Sequence, residues 1–266
     1  MLVRHPAPAR PAVMPVDVRL MNAVAGGVFV LAALVVAAAA LHALARAPWF
    51  AIRALALDGE LARSQPSAVR AEVLPQLHGN FFSVDLDAAR AAFESLPWVR
   101  RAVVRRVWPD RLAVTLEEHR SVALWQRDEE NPRIVNTHGE LFEANLGEID
   151  GPALPVFTGP PDRAEAMWAL HQRLAPLLAA QSLAVVRLEL SGRGSWRVVT
   201  AAGQVIELGR GDEEELLARA GVFVRTVAQV TGRFGRPLAN ADLRHAGGYA
   251  VRLQGVTTAA GGAAGN

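Results

Sequence analysis

Residues 96–119 read "LPWVRRAVVRRVWPDRLAVTLEEH", with arginine at 100, 101, 105, 106 and 111. Such a run could form a nucleic-acid surface, a membrane patch or the outside of a strand. Its spacing favours the third. Val99 to Trp108 is rich in valine, which suits a pleated surface. Pro109 and Asp110 make a turn. Residues 112–118 then alternate, with Leu112, Val114 and Leu116 to one side and Thr115 and Glu117 to the other. Neither alternate set of 99–108 is purely apolar, which admits a bulge in that strand. The two strands predict a hairpin whose Arg105, Arg106 and Arg111 meet water, with Glu117 and Glu118 near enough to balance some of their charge.

Upstream of the hairpin, residues 50–57 ("FAIRALAL") predict a strand, although Ile52 and Leu55 break strict period two. Asp58-Gly59 is a turn. Residues 67–77 predict a helix capped by Ser64 or Ser67, with Val69, Val73, Leu74 and Leu77 on one face and Gly79 after its end. Residues 86–96 predict a second, capped by Asp85 or Asp87, with Leu86, Ala89, Phe93 and Leu96 as its stripe and Pro97 as its stop. The order is strand, helix, helix, strand, strand.

The charge balance agrees with a solvated strand face. The chain has 266 residues, room for one or two compact domains. It contains no lysine, so all 28 basic residues are arginine, set against 26 acids for a net charge of +2. Arginine holds its proton far into alkali, which explains a pI of 10.2 without a large excess of positive charge. A nucleic-acid binder needs a concentrated basic face. Here acids are interspersed, and nucleic acid is not an expected partner. The absence of cysteine excludes disulfides, thiolate metal sites and cysteine nucleophiles.

Leu20 to Ala45 contains no Asp, Glu, Lys or Arg. About 20 apolar residues suffice to cross the hydrocarbon core. The segment predicts a transmembrane helix over 20–46, followed by Trp49 and Phe50 at the membrane surface. Arg4, Arg10 and Arg19 precede it against Asp17 alone, which places the tail, 1–19, in the cytoplasm and the rest outside. The alternative is a cleaved signal peptide ending at Ala43-Leu44-Ala45, but the apolar run is longer than a signal core of about 7–15 residues.

Beyond Arg120, "SVALW" predicts a short strand and "RIVNTHGELFEA" a hairpin. "LPVFTGPP" predicts a loop because of its prolines and glycine. Residues 162–181 predict an amphipathic helix with Met167, Leu170, Leu174, Leu177 and Leu178 at helical spacing. Strands follow at "LAVVRLELS", "SWRVVT" and "AAGQVIELG". A helix from Asp212 to about Thr231 opens on acids that suit its N-terminus. The last ordered piece, "LANADLRHAGGYAVRL", predicts strand, Gly247-Gly248 turn, strand. Residues 254–266 are mostly Gly, Ala and Thr and predict a disordered tail.

No nucleophile elbow, zinc-protease helix or phosphate loop is present. The seven histidines show no metal-ligand spacing and read as surface or turn residues. Glu117 and Glu118 are neighbours on a strand and point to opposite faces, which argues against a shared acid–base site. The expectation is a scaffold with no cofactor, no metal and no small-molecule substrate. Scaffolds work through sheet edges, whose unpaired N–H and C=O groups receive a partner strand. The final strand, Tyr249 to Leu253, is the candidate. It carries Tyr249, Val251 and Leu253 on one face, and no later strand is expected to cover it.

"GNFFSVDL", the run from Leu96 to Trp125, "GELF", "SWRV" and "DLRHAGGYAVRL" together resemble the FtsQ/DivIB family of bacterial cell-division proteins over nearly the whole chain. The resemblance implies an α+β chain: one N-terminal transmembrane helix, a POTRA domain (β-α-α-β-β) over 49–118, and a mixed antiparallel β domain with two flanking helices over 119–253. It implies no enzymatic activity. It implies an essential divisome component of the inner membrane, periplasmic beyond its span and placed at the septum. Its partners would be FtsB and FtsL, with FtsW and FtsI as the septal peptidoglycan synthesis machinery it serves. Carried over by position, the partner site comprises Arg193, Arg244, His245, Gly247, Gly248, Tyr249, Ala250, Val251, Arg252 and Leu253. His245 stands where the family's D-L-R-Y pattern has tyrosine, and Gly194 beside Arg193 offers no second basic contact. The competing reading is a POTRA-containing protein of outer-membrane assembly or secretion, which calls for a C-terminal β-barrel.

Overall fold

A computed structural model describes residues 16–45, 48–59, 61–126, 133–149, 151–245 and 247–255. Helix α1 (Val16–Ala45) contains the apolar window Leu20–Leu44, which is long and apolar enough to cross a membrane. Most of the N-terminal tail expected over 1–19 and most of the C-terminal tail expected over 254–266 lie outside the described residues.

The chain divides into two compact units: residues 1–58, 70–92 and 103–115, and residues 59–69, 93–102 and 116–266. The order predicted around the hairpin is present: β1 (Ala54–Asp58), α2 (Pro66–Val73), α3 (Leu86–Glu94), β2 (Val99–Val107) and β3 (Arg111–Glu118). The three strands form one sheet in the order β1-β3-β2, with β1 parallel to β3. Leu112, Val114 and Leu116 are buried, as their alternation requires. Strand β2 lies at the sheet edge and buries only Val99 and Ala102. The Ala102 N–H donates to the Glu94 carboxylate at 3.0 Å.

Local sequence explains where this part departs from expectation. Residues 48–50 form a 3-10 turn, so β1 starts at Ala54 and not near residue 50. Helix α2 starts on Pro66, whose fixed φ suits a first helical position. It stops at Val73 rather than Leu77. The ring of Pro75 disfavours α conformation at Leu74, and Leu74–Gln76 forms a 3-10 turn. Helix α3 is capped by Asp85, whose Oδ1 accepts from the N–H groups of Asp87 and Ala88 at 2.9 and 3.1 Å. Arg105, Arg106 and Arg111 are exposed, as expected. Their expected acidic neighbours are engaged elsewhere. Glu117 pairs with Arg100 at 2.9 Å, and Glu118 accepts from the N–H groups of Ala62, Arg63 and Ser64.

The remaining strands are β4 (Ser121–Trp125), β5 (Arg133–Asn136), β6 (Leu141–Phe142), β7 (Val156–Thr158), β8 (Val185–Leu190), β9 (Trp196–Thr200), β10 (Val205–Gly209), β11 (Leu238–Asp242) and β12 (Ala250–Leu253). They form a second sheet in the order β12-β11-β10-β9-β8-β7-β4-β5-β6. The sheet is mixed, with parallel pairs β10/β11, β7/β8 and β4/β7 among antiparallel ones. Strand β7 corrects the loop expected at "LPVFTGPP". Pro155 and Gly159 bound a three-residue strand that pairs with β4 on one side and β8 on the other, and Phe157 is fully buried. Burying such a ring contributes about 1.5–3 kcal/mol, enough to override weak local propensity.

Helices α4 (Ala164–Ala179) and α5 (Glu213–Phe234) supply Met167, Leu170, Leu174, Leu178, Leu216, Ala220 and Phe223 to the core of this sheet. Helix α5 is capped by Asp212, which accepts from Glu215 N–H at 2.9 Å, and ends on Gly235 at φ +58°. His119 and His171 are half-buried, which corrects the expectation of surface or turn positions. The His119 ring stacks on Phe142 at 4.0 Å, and its Nδ1 accepts from Asn136 Nδ2 at 2.9 Å. Burial lowers its pKa, in keeping with a neutral ring.

Candidate partner-binding surface

The partner-site residues named from the sequence sit around β12. Among the described residues β12 is the outermost strand on its side of the large sheet, paired with β11 alone. It begins at Ala250, one residue later than expected, so Tyr249 leads into it. Register pairs Ala241 with Val251 and Asn240 with Arg252. Just after the strand, Gln254 N–H donates to the Pro237 carbonyl at 2.9 Å. Alternate residues of an antiparallel strand turn their N–H groups the same way. Ala250 and Arg252 therefore direct theirs at β11, and Val251 and Leu253 direct theirs at the open edge.

Side chains hold this edge in place. Tyr249, Val251 and Leu253 pack on the core, and Ala250 and Arg252 face out. Tyr249 meets Phe223 edge-on at 5.2 Å. Between β11 and β12 the chain turns through Gly247, whose φ of +81° disfavours a side chain. His245 is exposed beside this turn, and its carbonyl accepts from Gly248 N–H at 3.4 Å. An open groove of about 290 Å³ runs along the outward face, with Asn240, Asp242, Ala250 and Arg252 in its walls.

Arg193 and Arg244, far apart in sequence, line one cleft of about 520 Å³. Arg210 and Arg219 line it too, and sequence reasoning did not single them out. The signal lay in "GRGDEEELLAR": Arg210 stands between two glycines, and Arg219 follows Glu215 by one helical turn. Gly209 makes the cleft possible, because a Cβ there would lie 2.7 Å from Arg244 Cγ. Arg219 is held by the carbonyls of Leu208 and Arg210 at 3.0 and 2.6 Å, and pairs with Glu215 at 3.4 Å. Arg244 grips Asp242 through Nε–Oδ1 and Nη2–Oδ2 contacts of 2.8 and 2.6 Å. That guanidinium pulls the Asp242 pKa down to about 2. Four guanidinium groups against two carboxylates leave the cleft positive, fit for acidic side chains.

Two family descriptions match the chain. "POTRA domain, FtsQ-type" covers residues 50–119, and "Cell division protein FtsQ/DivIB, C-terminal" covers residues 123–244. The second match ends at Arg244, so the turn and β12 lie beyond it. Relatives cover almost the full length. A protein described as cell division protein FtsQ from Thiomonas arsenitoxydans is 42% identical over 92% of this chain and 91% of its own. One of the same description from Burkholderia pseudomallei is 41% identical over 90% and 94%, and one from Bordetella pertussis 36% identical over 89% and 92%. With both descriptions matched in order along the chain and relatives 36–42% identical over about nine tenths of its length, this chain belongs to the FtsQ family of cell-division proteins.

Proposed function

We propose that the chain is a non-catalytic scaffold of the divisome, anchored in the inner membrane by α1 with its N-terminus in the cytoplasm and its folded part in the periplasm. At the septum it binds the periplasmic segments of FtsB and FtsL and links early division proteins to FtsW, FtsI and septal peptidoglycan synthesis. FtsB adds a strand to β12, and the cleft of Arg193, Arg210, Arg219 and Arg244 receives acidic side chains flanking that strand. The observation that carries this reading is the open edge at β12, with the Val251 N–H turned outward beside a positive cleft. Backbone pairing supplies affinity in such a complex, and the side-chain sites supply register. The arginines before α1 set the orientation.

The opposite margin of the sheet, β6, is the internal control. A photo-reactive residue at Ala250 cross-links to FtsB in dividing cells, and one at Leu141 on β6 does not. Cross-linking at Leu141 in place of Ala250 would defeat the assignment of the edge.

A further inference from the structure

Strand β1 pairs with β3 in parallel, from Ala54 opposite Arg111 to Asp58 opposite Thr115. The start of β1, where the chain arrives from α1, therefore lies beside the start of β3, and β3 is entered through the turn Trp108–Asp110. Two backbone hydrogen bonds fix this end of the domain. Arg53 N–H donates to the Asp110 carbonyl at 2.9 Å, and Phe81 N–H donates to the Phe50 carbonyl at 2.8 Å. Arg106 Nη2 donates to the Val84 carbonyl at 2.6 Å, joining the turn side of β2 to the loop that carries Phe81 and Phe82. Phe82 meets Phe50 edge-on at 4.9 Å.

The same end exposes large apolar side chains. Trp49 and Trp108 are each 75% exposed and Phe82 is 52% exposed. Arg53, Arg106 and Arg111 are exposed among them, and Asp110, 3.9 Å from Arg111, is the carboxylate at the turn. Tryptophan flanked by arginine is the composition of a membrane–water interface. Position agrees. Trp49 follows the end of α1 at Ala45 by four residues, a reach of at most about 14 Å. The apolar window of α1 spans 25 residues, or about 37 Å of helix, which carries its end through an apolar core of about 30 Å into the headgroup layer.

We propose that this end of the POTRA domain seats on the anionic phospholipid surface of the bilayer that holds α1. Trp49, Phe82 and Trp108 enter the headgroup layer, and Arg53, Arg106 and Arg111 meet lipid phosphates. The docking restrains the domain against the membrane. It rests on α1 being a membrane anchor.

The test uses the full chain in nanodiscs of phosphatidylcholine, with and without phosphatidylglycerol, containing lipid that carries a nitroxide quencher near its headgroup. The chain has six tryptophans, so the Trp108 signal is the emission lost in Trp108→Ser. In phosphatidylglycerol discs that emission is blue-shifted and quenched about twofold or more, and Arg106→Glu with Arg111→Glu abolishes the difference between the two lipid compositions. Because the chain lacks cysteine, a spin label on Val107→Cys gives a second reading of depth without changing Trp108. Failure of the chain to enter discs would remove the anchor and the docking together. Entry into discs with Trp108 emission red-shifted and unquenched, and with the label at 107 in water, would overturn the docking and leave the anchor intact.

Discussion

The Tyr249 hydroxyl lies 2.7 Å from Thr226 Oγ1, across the space between the lead-in to β12 and the middle of α5. Thr226 Oγ1 also donates to the Val222 carbonyl at 2.9 Å, which leaves the tyrosine as the donor in their shared bond. Tyr249 is the sole tyrosine of the chain. It pins a strand that, among the described residues, pairs with β11 alone. Removing its hydroxyl in Tyr249→Phe costs about 1 kcal/mol of stability and loosens β12. Hydrogen exchange at residues 250–253 then speeds up, and exchange in β9 stays as it was.

Phe157 is the anchor of the strand that local sequence hides. Phe157→Ala leaves a cavity beneath the parallel pairs β4/β7 and β7/β8 and costs about 3–5 kcal/mol. Denaturant unfolding measures it. A loss below about 1 kcal/mol would mean that β7 is not a buried strand.

Glu140 answers to acid. Arg100 bonds both of its oxygens, at 2.8 and 2.9 Å, and this contact lowers its pKa from 4.5 to about 2. A carboxylate whose pKa falls on folding adds stability above its unfolded value, and that stability is lost as pH drops through the folded value. The contribution is whole above pH 4.5 and disappears towards pH 2. Half-exposure of the glutamate holds the net effect to about 1 kcal/mol. Glu140→Gln is less stable than the parent at neutral pH, and the gap closes in acid. Thermal melts across that range measure it.

On the proposed reading, Arg193 and Arg210 serve the partner and contribute little to the fold. Arg193 and Arg210 are exposed, so reversing both to glutamate leaves stability within about 0.5 kcal/mol. The same change weakens FtsB binding at least about tenfold and flattens its salt dependence. Titrations at two salt concentrations measure both effects.

Much of this fold was legible because its signals are local. Leu112, Val114 and Leu116 alternate, Asp85 and Asp212 cap helices, and the charge-free run from Leu20 to Ala45 has the length of a membrane span. Three features escaped because tertiary contacts decide them. Strand β7 is three residues long and exists through its neighbours on both sides. Arg210 and Arg219 acquire meaning only where the sheet brings Arg193 and Arg244 to them. Glu117 and Glu118 stand close in sequence to Arg105, Arg106 and Arg111, yet one reaches Arg100 and the other accepts from the backbone of 62–64, choices made by packing at long range. The exposed aromatics were visible singly, but the parallel pairing of β1 with β3 is what gathers Trp49 and Trp108 at one end.

The most direct measurement of the central claim is the affinity of the full chain, held in nanodiscs, for the periplasmic segment of FtsB from the same organism, with Val251→Pro and Arg252→Pro beside it. Proline removes an N–H. At Val251 the lost donor faces the open edge, so the protein keeps its melting curve while binding weakens about 10- to 100-fold. At Arg252 the lost donor faces β11, so stability falls as well. A folded Val251→Pro protein that binds FtsB as tightly as its parent would contradict strand addition at β12.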